Sequence, residues 1–226
     1  MDLRKDYSEA DLVKLMLDMK PGAAPGTEWR YNNGGYVMLG VLVRRVTGHF
    51  YGDELAERVF KPLGMRTARI ISEADIIPNR AAGYEKAPKG LVNQGWVSPS
   101  LNTTADGALY LSLLDYLKWD AGLASDKFLK SDSLSAMWTP ATIVKDGKKQ
   151  AVGYGFGWLL PTIEGVRLIE HSGAWQGFVT YIARRLDERT LVVVLTNVAA
   201  RSPLVIGRKI LNLLDRRIPL KFTLPE

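Results

Sequence analysis

The sequence contains no cysteine and only two histidines, His49 and His171, in 226 residues. The first absence removes disulfides, thiolate nucleophiles and cysteine-held zinc or iron–sulfur centres. The second leaves too few imidazoles for a histidine-rich metal site, so neither a metal nor a cofactor is expected. Long apolar runs are missing too. Leu191 to Leu195 is typical of those present, far below the ~18 residues that would span a bilayer. The opening Met1-Asp2-Leu3-Arg4-Lys5-Asp6 has no apolar h-region of a secretory leader, so these residues alone would stay in the cytoplasm, and they assign no localisation to the protein. There is no internal repeat and no low-complexity linker. With 46% hydrophobic and 24% charged residues, the composition is that of a globular protein and excludes a disordered or fibrous one. The length suits one domain, or one domain with a small lobe.

Lys and Arg outnumber Asp and Glu by 30 to 24, a net charge of +6. Much of the excess comes late, at Arg201, Arg208, Lys209, Arg216, Arg217 and Lys221. These charges are expected on the solvated face of a C-terminal helix and its tail. They are not interleaved with aromatics as a nucleic-acid surface requires, so no nucleic-acid partner is expected.

Punctuation organises the rest. Ser8 and Asp11 read as a capping box before a helix with Leu12, Leu15, Met16 and Met19 on one face. After the Pro/Gly loop 21–26, a second helix runs from about Asn33 to Thr47 and stops at Gly48. Its apolar residues lie almost all round, so it is expected to be buried. A third runs from Tyr51 to about Phe60, before Pro62. Residues 68–106 read as loops with short hairpins. Ser112 and Asp115 form a second capping box for a helix through Trp119, and Ser131 to Trp138 reads as a short helix. Gly153–Leu160, Val166–His171, Phe178–Ala183 and Leu191–Asn197 are strand-like, and Ser202-Pro203 opens the last helix.

No Gly-x-Ser-x-Gly elbow and no phosphate-binding Gly-x-x-x-x-Gly-Lys-Ser/Thr is present, which removes two common enzyme templates. Four signatures follow one another instead. They are Pro25-Gly26-Thr27-Glu28-Trp29-Arg30-Tyr31-Asn32-Asn33, leading into Gly34-Gly35-Tyr36; Pro62-Leu63-Gly64-Met65; Tyr154-Gly155-Phe156-Gly157-Trp158; and His171-Ser172-Gly173-Ala174-Trp175-Gln176-Gly177-Phe178. Together they resemble the serine β-lactamase-like superfamily of class C β-lactamases, DD-peptidases and β-lactamase-related esterases, from Ser8 to about Leu214.

The resemblance implies an α/β (α+β) β-lactamase/transpeptidase-like fold: an antiparallel sheet backed by a helix, plus a helical lobe. One domain is expected, with a helix and loop lobe over about 8–140 and the sheet and last helix over about 141–226. The resemblance also implies ester or amide hydrolysis through an acyl-enzyme. Tyr31 would shuttle the proton and Asn33 would clamp by hydrogen bonds, while His171 is the third catalytic residue. Ser172, Gly173, Ala174 and Trp175 would bind substrate, with the Ala174 N–H as one oxyanion donor. These groups are expected to converge on one cleft.

The departure is the first family motif. No serine here has a lysine three residues on, and Thr142-Ile143-Val144-Lys145 has the spacing only by coincidence. The chain is therefore expected to be the family's later portion, with little activity alone. Ser172 is a poor substitute nucleophile, because adjacent strand residues point to opposite faces and His171 cannot serve it. A small ester or amide is the expected substrate. The expected partner is a second copy of the chain or a complementing N-terminal segment, since an uncovered Leu191–Leu195 strand would invite pairing. The alternative is a non-catalytic, self-associating module with a remnant pocket.

Overall fold

The computed structural model describes residues 2–72, 74–125 and 128–220. The chain opens with helices α1 (Glu9–Asp18), α2 (Asn33–Thr47) and α3 (Tyr51–Leu55), the last running on into a wide π-helical turn, Ala56–Phe60. Strands β1 (Arg69–Ile70), β2 (Tyr84–Ala87), β3 (Gly90–Asn93) and β4 (Leu109–Tyr110) follow, then helices α4 (Leu113–Leu123) and α5 (Ser131–Met137). The last stretch holds β5 (Thr142–Lys145), β6 (Lys148–Ala151), β7 (Thr162–Ile163), β8 (Val166–Trp175), β9 (Phe178–Arg185), β10 (Thr190–Thr196) and helix α6 (Pro203–Leu214). Two compact units result. One comprises Met1–Ala23, Arg30–Arg80 and Gly95–Leu129; the other comprises Ala24–Trp29, Ala81–Gln94 and Lys130–Glu226.

In the first unit, α1 starts on the expected capping box, with Ser8 and Asp11 each accepting from the other's backbone N–H. Helix α2 ends where Gly48 turns left-handed at φ 80°. Burial is where α2 departs from expectation. Only Gly40 and Val41 are buried, while Leu42 is 53% and Val46 76% exposed. Apolar residues give a helix the capacity for burial, but its neighbours decide which face is covered. Here α1 and α3 pack against α2, and a Cβ added at Gly40 would lie 2.6 Å from the Ala105 Cβ.

The second capping box is only half formed. Ser112 accepts from the Asp115 N–H, but the Asp115 carboxylate turns elsewhere. It accepts from the Thr67 hydroxyl at 2.6 Å, the Thr67 N–H at 2.5 Å, the Ala68 N–H at 3.2 Å and Lys118 Nζ at 2.7 Å. Burial would raise this carboxyl, which is 1% exposed, yet the Lys118 and Thr67 hydrogen bonds outweigh it and hold the pKa at about 2. A pKa depressed in the folded state stabilises above the unfolded value of ~3.9, and the gain is lost as pH falls towards 2. A fall from ~3.9 to about 2 corresponds to about 2–3 kcal/mol. Urea denaturation of Asp115→Asn should show a loss of about that size at pH 6 and a shallower decline between pH 4 and 2 than in the parent chain. Equal slopes would show that Asp115 is not the group responsible.

In the second unit, a four-stranded antiparallel sheet runs in the order β10-β9-β8-β7. Its tight turns, Glu164-Gly165 and Gln176-Gly177, have positive φ at both central residues, as does Asp146-Gly147 between β5 and β6. That geometry matches the right-handed twist of paired strands, and glycine supplies half of it without strain. Val166, Leu168, Tyr181, Ala183 and Val192 pack with Leu211 of α6 and with Ile218 as one core. The β5–β6 hairpin, which carries Thr142 and Lys145, was not expected from the sequence.

Two further sequence readings need correction. Gly153–Leu160 is not a strand; it is an irregular segment held by single bridges between Tyr154 and Leu159 and between Leu159 and Glu170, with Gly157 at φ 76°. Arg208 is not on a solvated face. It is fully buried, ion-paired with the buried Glu170 carboxylate, which also accepts from the Tyr181 hydroxyl. Arg201, Lys209, Arg216 and Arg217 are exposed as expected, and Lys221 lies outside the described residues.

Candidate active site

Tyr31 and Asn33 belong to the first unit, and His171 through Trp175 to the second. Asn33 is the first residue of α2, and Tyr31 immediately precedes the N-cap, Asn32. The cap hydrogen bond is made by Asn32, whose side-chain oxygen accepts from the Gly35 N–H at 3.4 Å. The structural duty that Asn33 could have had is therefore filled by its neighbour, and Asn33 is exposed. Tyr31 is 55% exposed. Its partial burial, then its electrostatic interactions with Asp106 and Tyr36, raise its phenol above the ordinary range. At neutral pH it carries its proton, and no base is available from it in this environment.

The His171-Ser172-Gly173-Ala174-Trp175 motif lies within β8, in register with Ile182, Tyr181, Thr180, Val179 and Phe178 of β9. Glu170 exchanges backbone hydrogen bonds with Leu159 at 2.9 and 3.0 Å, on the side of β8 away from β9. Backbone direction repeats every second residue along a strand, so the N–H groups of Ser172 and Ala174 point to that same side. Strand β7 pairs only with Val166 and Arg167, which leaves this stretch as an edge. A Cβ at Gly173 would come within 2.7 Å of the Thr180 hydroxyl, which would have to turn away to admit a side chain. Trp175 is half-buried at the strand end.

Alternation places Ser172 on the face of Glu170 and Arg208, and His171 on the other face. His171 is flanked by two partners. Its Nδ1 lies 2.6 Å from the Ser172 carbonyl oxygen and its Nε2 3.1 Å from the Tyr154 hydroxyl. Burial lowers the imidazole pKa, with the Ser172 hydrogen bond opposing. Tyr154 had no role in the sequence reading beyond its Gly/aromatic pattern, since only the folded chain brings residue 154 to residue 171. His49 is exposed and pairs with Glu54, as a surface residue would. Among the described residues, no group of three or more His, Asp or Glu side chains is placed to share a metal ion, and no helix is long and apolar enough to cross a membrane.

Comparison with known proteins gives a consistent picture. A family model described as beta-lactamase matches residues 1–215. Penicillin-binding protein 4* of Bacillus subtilis is 29% identical over 210 residues, covering 87% of this chain and 46% of the relative. The D-aminopeptidase of Brucella canis is 31% identical over 177 residues, covering 77% of this chain and 32% of that protein. Among solved structures, the octameric penicillin-binding protein homologue from Pyrococcus abyssi superposes with a TM-score of 0.77 at 28% identity, over 92% of this chain and 47% of that one. The chain thus spans about half or less of the length of these relatives.

Proposed function

The chain belongs to the beta-lactamase family, and from that premise we propose that its 226 residues supply part of an acyl-transfer site for ester or amide hydrolysis. In this reading Tyr31 moves the proton between nucleophile and leaving group, and Asn33 holds the substrate by hydrogen bonds. Strand β8 aligns the acyl group, with His171 as its side-chain contributor and the Ala174 N–H as an oxyanion donor. Ser172, Gly173 and Trp175 complete the substrate edge. The observation that carries the reading is the direction of the Ala174 N–H, which leaves the sheet at an edge rather than joining β9.

The nucleophile comes from outside these residues. No serine has a lysine three positions on, and Ser172 faces away from His171. Purified chain should therefore turn over p-nitrophenyl esters and cephalosporins at trace level only, unchanged by Ser172→Ala. Robust turnover abolished by Ser172→Ala would identify Ser172 as the nucleophile and overturn this assignment.

A second reading, a self-associating module, is supported by β10. It is the edge of its sheet, and α6 packs on β9 and β10 while leaving Ile206, Ile210, Leu213 and Leu214 exposed. An open strand edge beside apolar surface favours pairing with a second copy. The Pyrococcus relative is itself octameric. Light scattering coupled to size exclusion should show a homo-oligomer, and a persistent 25.1 kDa monomer would contradict it.

A further inference from the structure

The acyl-transfer roles leave Tyr154 unassigned, although it is a buried side chain of its unit. It is 7% exposed, with the Trp29 ring 5.2 Å from its own. Its backbone is fixed on both sides: its carbonyl accepts from the Ala141 N–H at 2.8 Å, and it bridges to Leu159, which in turn bridges to Glu170 of β8. The phenol therefore reaches the His171 ring from a rigid support, edge to face at 6.0 Å.

The contact with the Ser172 carbonyl places a proton on one nitrogen of the imidazole. A carbonyl oxygen has no proton to give, so the 2.6 Å contact with Ser172 requires a proton on Nδ1. A neutral ring protonated at Nδ1 can only accept at Nε2, and the group facing Nε2 at 3.1 Å is the Tyr154 hydroxyl. We propose that Tyr154 is a positioning residue that holds His171 as the neutral, Nδ1-protonated imidazole, its Nε2 lone pair receiving the phenol proton. The β8 edge then meets a substrate with an oriented, uncharged ring instead of a cation. Burial of His171, which disfavours the imidazolium, acts in the same direction. The significance for catalysis rests on the reading of His171 as a site residue, but the proton arrangement itself does not.

Two histidines make the test direct. Long-range 1H–15N spectra of the uniformly labelled chain near pH 7.5 contain two imidazoles, and exposed His49 is the internal reference. The proposal predicts a protonated Nδ1 and an unprotonated Nε2 for His171. In Tyr154→Phe, the Nε2 resonance should move towards that of an unprotonated nitrogen without a donor, and the Nε2-protonated form should grow in, with His49 unchanged. A wild-type His171 protonated at Nε2, or a Tyr154→Phe spectrum with His171 unmoved, would overturn it. The wild-type spectrum decides the first point even if the variant fails to fold. Neither result depends on hydrolysis, so failure of the acyl-transfer reading and failure of this one are separately visible.

Discussion

Replacing Arg208 with methionine while Glu170 stays in place should destabilise the protein by about 3–5 kcal/mol. Both side chains are essentially inaccessible to solvent, and the carboxylate receives the guanidinium and the Tyr181 hydroxyl together. Removing the cation leaves a buried carboxylate that keeps the Tyr181 hydroxyl but has lost its counter-ion. The cost is then the desolvation of an unpaired charge, which exceeds the value of the pair itself. The effect should propagate, because the pair ties α6 to β8, the strand that carries His171. Gly207, beside Arg208, already packs directly on the Tyr181 ring. Converting Glu170 to leucine in the same chain should recover much of the loss, since two apolar side chains leave no orphaned charge. Urea denaturation of the single and double variants measures this. A single variant within 1 kcal/mol of the parent would show that the pair is not closed in solution.

The second large effect concerns Tyr31. When a segment carrying Ser-x-x-Lys is supplied and hydrolysis is restored, Tyr31→Phe should lower kcat/KM by roughly 10²–10⁴-fold, the range of a positioned general acid–base group. The physical reason lies in the phenol's surroundings. Partial burial, Asp106 and Tyr36 all keep it protonated, so only an added cation can bring it into a range useful at neutral pH. Without that segment the substitution should change nothing measurable. Restored turnover that survives Tyr31→Phe would remove Tyr31 from the mechanism.

Where local chemistry decides, the sequence was legible. Ser8 with Asp11, Gly48 after Thr47, and Pro203 at the start of α6 mark helix ends through the hydrogen bonds they make or forbid, and α2 has the bounds read from them. Strands β8 to β10 were recognisable from β-branched and aromatic runs between turn residues. Three misreadings turn on partners distant in sequence. Asp115 looked like the reciprocal half of a capping box until Thr67 competed for its carboxylate. Arg208 looked solvated because its partner, Glu170, is 38 residues away. Helix α2 looked buried because composition reports how much apolar surface a helix has, not how much its neighbours cover. The same limit applies at the candidate site. Tyr31, Asn33 and His171 stood out through motif order with roles attached, whereas Tyr154 stood in the same order without one until the fold brought its hydroxyl to the imidazole.

On the acyl-transfer reading, this chain contributes Tyr31, Asn33 and His171 to the site but no acylable nucleophile. Intact-mass spectrometry after incubation with a penicillin or an activated ester tests it most directly, because a covalent acyl-enzyme adds the mass of one acyl group. An unmodified chain is expected, with the adduct appearing on the Ser-x-x-Lys segment when one is supplied. A stoichiometric adduct on the 226-residue chain alone, mapped to one of its own serines or threonines, would contradict it.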